Sequence, residues 1–170
     1  MKRLPASERG VDPTARNWQA VMDTPFGYVG IRTEGERVTE VMYLGAQAKR
    51  LAATNALARE TCAQIAAYLE NPRYCFDLPY ALEGTPFQVR VWRAIAAIPS
   101  GATRTYGELA TELASAARAV GGACGSNPVP LIVPCHRVLA AGGRIGGFMH
   151  SRATGPLSIK QWLLYHEGWR

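Results

Sequence analysis

The chain has 170 residues and a mass of 18.4 kDa, with 48% hydrophobic and 19% charged residues. It is long enough for one large domain or two small ones and too apolar for a disordered tail. Its apolar runs, such as Val129–Cys135, are far shorter than the roughly 18 residues of a membrane helix, so no membrane partner is expected. The net charge of +6 is unevenly placed: residues 1–82 carry 10 Lys and Arg against 9 Asp and Glu, residues 83–170 carry 9 against 4. A basic second half fits a surface that faces phosphate, or simply a soluble one.

Met1–Arg9 has charges but no apolar core of a secretory signal, and residues 1–16 read as an arm. Trp18–Met22 and Tyr28–Arg32 read as strands around the turn signal Asp23-Thr-Pro-Phe-Gly27, with Val38–Leu44 a third strand after Gly35. The pattern is that of an antiparallel meander. Residues 46–70, rich in Ala and Leu, read as one helix stopped by Glu70-Asn71-Pro72. Residues 73–84 read as an extended connection, which divides the chain into domains over 1–82 and 83–170.

The second half is helical in character. Thr85-Pro86 is a helix start, Phe87, Val91 and Ile95 recur every four residues, and Ile98-Pro99-Ser-Gly101 ends the pattern. Thr105-Tyr-Gly-Glu108 is a capping box for a short helix through Leu109 and Leu113. Ser115 reads as the cap of a further helix over 116–124, and two short helices in tandem suggest a helix-turn-helix. Ser158-Ile-Lys-Gln161 reads as another capping box, with Leu157 and Trp162 as its hydrophobic staple and a closing helix to about His166.

Cys62, Cys75, Cys124 and Cys135 form no Cys-x-x-Cys pair, and His136, His150 and His166 lack metal-ligand spacing. Free thiols in a reducing compartment and no metal site are expected. Ser115–Ser126 is mostly Ala, Gly and Ser with one long side chain, Arg118. Such a helix either packs tightly on a neighbour or admits an outside surface such as a DNA groove, since Gly121-Gly122 costs helix stability. In Asn127–Arg137 the prolines suggest a rigid, extended chain around Cys135. A buried cysteine is usually inert. His136 beside it would face the other way in an extended chain, although a water could join the two.

Pro134-Cys-His-Arg137 followed by Val138 resembles the signature of the O6-alkylguanine-DNA alkyltransferases. The resemblance extends through Gly84-Thr-Pro-Phe-Gln88, Ile98-Pro99, Thr105–Leu109, Ala117–Gly122, Asn127-Pro-Val-Pro130 and Trp162–Gly168. It implies an α/β (α+β) fold: an N-terminal RNase H-like antiparallel sheet with a helix, and a C-terminal winged-helix-like domain containing the helix-turn-helix. It implies direct-reversal DNA repair. A methyl or larger alkyl group would pass irreversibly from O6-alkylguanine in double-stranded DNA, less efficiently from O4-alkylthymine, to Cys135 after base flipping.

The same resemblance assigns roles. Arg118 would fill the gap in the base stack. Ala116, Ala117, Ala119 and Gly121 would face the minor groove, and Tyr106 would help turn the phosphate and bond the flipped base. His136, through water, would take the thiol proton, and Glu167 would orient His136 and stabilise its cation; a bland alternative leaves Glu167 in solvent. Asn127 would be the hinge before the cysteine segment. Main-chain groups near Cys135, Val138 and Met149 would read the guanine edge, with Phe148 and Pro130 at the base or alkyl pocket. No cofactor or metal is needed, and the expected protein is a cytoplasmic monomer, nucleoid-associated in a bacterium, with cooperativity on DNA left open. Three stretches depart from the family pattern: the short turn Leu113-Ala-Ser115, Gly125-Ser126 where a basic residue is common, and a long loop Phe148–Pro156. A lesion binder that transfers nothing is the alternative, against which Cys135 counts; a Cys-His hydrolase would have no use for Arg118.

Overall fold

A computed structural model describes residues 17–149 and 154–170. The expected arm over 1–16 and residues 150–153 of the long loop lie outside the described residues.

Three strands, β1 (Ala20–Thr24), β2 (Gly27–Glu34) and β3 (Arg37–Leu44), form an antiparallel sheet in the order β1-β2-β3. The first strand runs two residues further than its sequence suggested. Asp23 pairs with Tyr28 and Thr24 with Gly27, so the turn shrinks to Pro25-Phe26. Gly27, at φ +118, supplies the left-handed backbone this tight reversal needs. Alternation places Val29 and Ile31 in the main core, and a register shift opposite Arg32 and Thr33 brings both Val38 and Val41 there, while Trp18, Val21 and Leu44 form a smaller cluster with Ala48.

Helix α1 (Ala56–Glu70) covers the sheet with Ala58, Ile65 and Tyr68. It is ten residues shorter at its start than the expected helix from 46. Leu51 instead exchanges two backbone hydrogen bonds with Val21, each 3.0 Å. Asn55 then caps the helix by accepting from the Ala58 N–H at 2.8 Å. Ala-rich composition favoured helix over 46–55, and pairing with the sheet edge overrode it. The connection after α1 is extended, as expected. It lies along β3, with the Val38 N–H donating to Pro79 O and the Ala81 N–H to Val38 O.

Helix α2 (Pro86–Ala96) starts at Thr85, whose side chain and that of Gln88 form a full capping box. Its buried face carries Trp92 as well as Val91 and Ile95, and the Trp92 indole donates to Ala123 O at 2.8 Å. Strand β4 (Arg104–Thr105) leads into helix α3 (Tyr106–Glu112), which has the expected Thr105–Glu108 capping box. Helix α4 (Ala117–Gly125) follows after four residues. Ala114 makes that turn in left-handed backbone, φ +51, without a glycine. Ser115 is not the cap: Ala116 is, and it offers no side-chain hydrogen bond.

Residues 128–134 are not extended. They fold into turns, with the Val133 N–H donating to Val129 O at 2.9 Å and Leu131 at φ +73. Cys135–Arg137 is a single 3₁₀ turn, and β5 (Val138–Leu139) then pairs in parallel with β4. Helix α5 (Thr154–His166) closes the fold. It begins four residues before Ser158, so the supposed cap Ser158 and the staple residue Leu157 lie inside the helix.

Candidate active site and nucleic-acid interface

Cys135 follows Pro134 at the start of the 3₁₀ turn, 3% exposed, with Sγ 3.9 Å from Met149 Sδ. Burial pushes its thiol up to about 11, while the Asn127 amide and the Lys160 charge pull the other way. Asn127 comes two residues after α4 and is buried. Its Nδ2 donates to Val133 O at 2.7 Å, and its Oδ1 accepts from the Val129 N–H at 3.0 Å. One side chain thus pins the turns that deliver Cys135.

The 3₁₀ turn changes the relation expected between Cys135 and His136, because neighbours here are not on opposite sides of a strand. His136 is 1% exposed. Its Nε2 lies 2.9 Å from Glu167 Oε1, and its buried Nδ1 has no partner among the described residues. Nδ1 is therefore the nitrogen free to accept a proton. Glu167 comes just after α5 with its side chain only 2% exposed, so it is not a solvent carboxylate.

Glu167 serves more than His136. Arg137 donates from Nη2 to Oε1 at 2.7 Å and from Nε to Oε2 at 2.9 Å, and its Nη1 donates to Ile98 O at 2.6 Å. Tyr68 donates its hydroxyl to Oε1 at 2.7 Å. Burial opposes ionisation of Glu167, but the bonds from His136 and Arg137 prevail and hold the carboxyl well below the usual range. For His136 burial dominates the raising effect of Glu167, and the nearby charges of Arg137 and Lys160 add to it, so its pKa is lowered. The resting imidazole is thereby biased toward its neutral form, with Glu167 pulling toward the cation.

Lys160, on α5, is fully buried. Its Nζ donates to Val138 O at 2.6 Å and Gly147 O at 3.0 Å, and lies 5.6 Å from the Tyr106 ring centroid and 5.9 Å from that of Phe148. Burial lowers its pKa to about 8, against the raising influence of Cys135 and Cys124. Neither Lys160, Arg137 nor Tyr68 was singled out from sequence. The available signal for Lys160 was its spacing: with Leu163, Leu164 and Glu167 it shares one helical face that also carries buried leucines. Two of the nine cations in the second half, Arg137 and Lys160, are thus interior and do not contribute to a basic surface.

The other anticipated residues fall into two groups. Tyr106 is half-buried at the start of α3, its hydroxyl donating to Gly147 O at 3.3 Å; burial pushes that hydroxyl well up, so it remains a donor. Val138, Phe148 and Pro130 are buried, and Met149 partly so. Both main-chain groups of Val138 are engaged, the N–H with Cys135 O and the carbonyl with Lys160. Ala116, Ala117, Arg118 and Ala119 are all exposed on α4. Among the described residues, a Cβ added at Gly122 would meet nothing within 4 Å beyond its own helix backbone, and one at Gly121 only the Tyr106 ring at 4.0 Å. Close packing within the chain therefore does not explain the glycines, which leaves the outer surface of α4 open to a partner. A Cβ built at Gly121 would come 4.0 Å from the Tyr106 ring, and a negative charge on Cys135 would oppose ionisation of the Tyr106 hydroxyl. Among the described residues no cluster of His, Cys, Asp or Glu could hold a metal ion.

Cys135, His136 and the Glu167 carboxylate are thus interior, while the first residues of the small-residue helix α4 are exposed. The family described as 6-O-methylguanine DNA methyltransferase, DNA binding domain, matches residues 86–169, and the chain belongs to the methylated-DNA–protein-cysteine methyltransferase family. The Methanosarcina acetivorans methylated-DNA–protein-cysteine methyltransferase is 37% identical over 158 residues, 89% of this chain and 98% of that protein. The Salmonella typhimurium protein of the same name is 39% identical over 141 residues, 81% and 78% respectively. Among solved structures, Mycobacterium tuberculosis O6-methylguanine methyltransferase is similar at 35% identity and TM-score 0.68. The M. tuberculosis OGT in complex with DNA is similar at 36% and 0.73. Each of the two matches covers 86% of this chain and 90% of the other.

Proposed function

We propose that this protein performs direct-reversal DNA repair, taking the alkyl group from O6-alkylguanine in duplex DNA onto Cys135, once per molecule. The observation that carries the reading is a buried thiol, Cys135, in turns pinned by Asn127, two residues after the open small-residue helix α4. A lesion buried in a base stack has to leave it to meet that thiol. Arg118 is the one long side chain on the exposed start of α4 and fills the vacated space. In this reading residues 1–82 form an RNase H-like domain. Residues 83–170 form a winged-helix-like one, with α3 and α4 as a helix-turn-helix whose second helix enters the minor groove.

In the reaction, His136 Nδ1 accepts the thiol proton through a water, and Glu167 fixes the ring through Nε2. The S–C bond forms as the C–O6 bond breaks, and the electron pair leaves on guanine. Tyr106 hydrogen-bonds the base as negative charge develops on it, the proton taken from the thiol passes back through water to neutralise the departing guanine, and Lys160 adds a positive charge to the site. The product thioether offers water no activated carbonyl, so the thiol is not regenerated. Pro130, Phe148 and Met149 border the base and alkyl pocket. Asn127 sets the hinge. The protein acts as a monomer in a reducing cytoplasm.

The test is a duplex carrying radiolabelled O6-methylguanine. One label per molecule on Cys135, without turnover, is expected, and Cys135→Ser should keep lesion binding and take no label. Tight binding without label on the unaltered protein would turn the reading into that of a lesion sensor.

A further inference from the structure

We propose that Tyr68, on α1 against the N-terminal sheet, is a positioning residue for alkyl transfer: its hydroxyl shares one oxygen of Glu167 with His136 and so sets how tightly that carboxylate holds the imidazole. The proposal rests on the reading of Cys135 as acceptor and His136 as its base.

The geometry is a crowded acceptor. Glu167 Oε1 receives Tyr68 at 2.7 Å, His136 at 2.9 Å and Arg137 Nη2 at 2.7 Å, while among the described residues Oε2 faces only Arg137 Nε at 2.9 Å and the Gly101 N–H at 3.5 Å. A donor added to one carboxylate oxygen draws charge from the other bonds that oxygen makes. Tyr68 is also held so that its hydroxyl can point nowhere else. The residue is 1% exposed, its ring meets the His166 ring edge-on at 5.3 Å and Phe76 at 5.6 Å, and its carbonyl bonds to His166 Nε2 at 2.8 Å. The hydroxyl itself is far from ionising, because burial and the Glu167 charge both oppose its loss of a proton. It acts as a fixed donor.

The charged and titratable groups around His136 are Lys160 from α5, Glu167 just after it, Arg137 and Cys135 from its own turn, and Tyr68 through Glu167 from α1. Burial and the charges of Arg137 and Lys160 hold the basicity of the imidazole down, and the share of Oε1 that Tyr68 takes from His136 tunes it. Without the hydroxyl, Oε1 would draw more strongly on the His136 N–H and favour the imidazolium. A base that must begin neutral would then work only at higher pH.

Two replacements at position 68 test this in opposite directions. Tyr68→Phe removes only the hydroxyl. Site-specific 3-fluorotyrosine keeps it and makes it a more acidic donor. Each is read twice: by the nuclear magnetic resonance titration of the His136 ring, and by single-turnover methyl transfer against pH. For Tyr68→Phe the His136 titration and the acid limb of the rate should rise by about half a unit, a roughly threefold loss of rate below the limb. For 3-fluorotyrosine both should fall. An unmoved His136 titration, or shifts of the same sign in both, would overturn the proposal. If the phenylalanine variant does not fold, the fluorotyrosine arm decides alone. Failure of the unaltered protein to label Cys135 would instead sink the parent reading, and the ring titration would still judge Tyr68.

Discussion

The Glu167 cluster and helix α4 solve opposite problems. Around Glu167 the charges are inside, each answered by another: Arg137, His136 and Tyr68 converge on one carboxylate. On α4 the first turn is exposed, uncapped by any side chain and made of alanine around Arg118. The cluster gains its strength from completeness, and the helix gains its use from what it leaves out. Chemistry on a thiol needs fixed dipoles in a dry setting, whereas close approach to a groove needs the absence of side-chain bulk.

That contrast predicts where substitution costs stability and where it costs only function. Glu167→Gln should be the most damaging. It leaves the buried Arg137 without its counter-charge, which costs about 3–5 kcal/mol, measurable by urea unfolding at pH 7. The linkage has a definite sign. Because the folded carboxyl titrates below its usual value, its contribution is present above the unfolded pKa of about 4.3 and fades as pH falls below it. The variant's stability should lose that acid-side decline; an unchanged decline would assign it to other carboxylates.

Arg118→Ala should sharpen the contrast from the other side. Unfolding should shift by less than about 0.5 kcal/mol, as for an exposed residue. Transfer from duplex DNA should fall by at least about tenfold relative to transfer from free O6-benzylguanine, the share of a flipping step worth roughly 1.4 kcal/mol or more. Equal losses with both substrates would break the assignment.

Gly122→Ala gives the smallest expected effect and the most pointed. Among the described residues the added Cβ meets nothing within 4 Å beyond its own helix backbone, so helix propensity alone should stabilise the fold by about 0.5–1 kcal/mol. Duplex binding should weaken at the same time, in a filter or fluorescence assay at fixed salt. A more stable variant that binds DNA equally well would mean that the groove does not reach this far along α4.

What the sequence disclosed follows the range of the interactions involved. The capping boxes at Thr85 and Thr105 could be read because cap and partner lie three residues apart. The apparent box at Ser158 misled for the same local reason, since the pattern exists while the helix begins at Thr154. The helix expected from 46 failed at Leu51, whose partner Val21 is in another element. Cys135, His136 and Glu167 could be named through the resemblance of their strings. Tyr68 could not, because it meets Glu167 across 99 residues of chain and no local pattern marks it.

The indole of Trp92 links helix α2 to helix α4. It is 1% exposed and hydrogen-bonded to a carbonyl inside α4. The core of the molecule therefore carries an optical probe wired to the surface that α4 presents. Any displacement of that helix, whether by a duplex pressed against it or by a methyl group lodged on Cys135, would change the polarity the indole feels and shift its emission. With Trp18, Trp162 and Trp169 replaced, the protein would report its own occupancy in light, with no label attached.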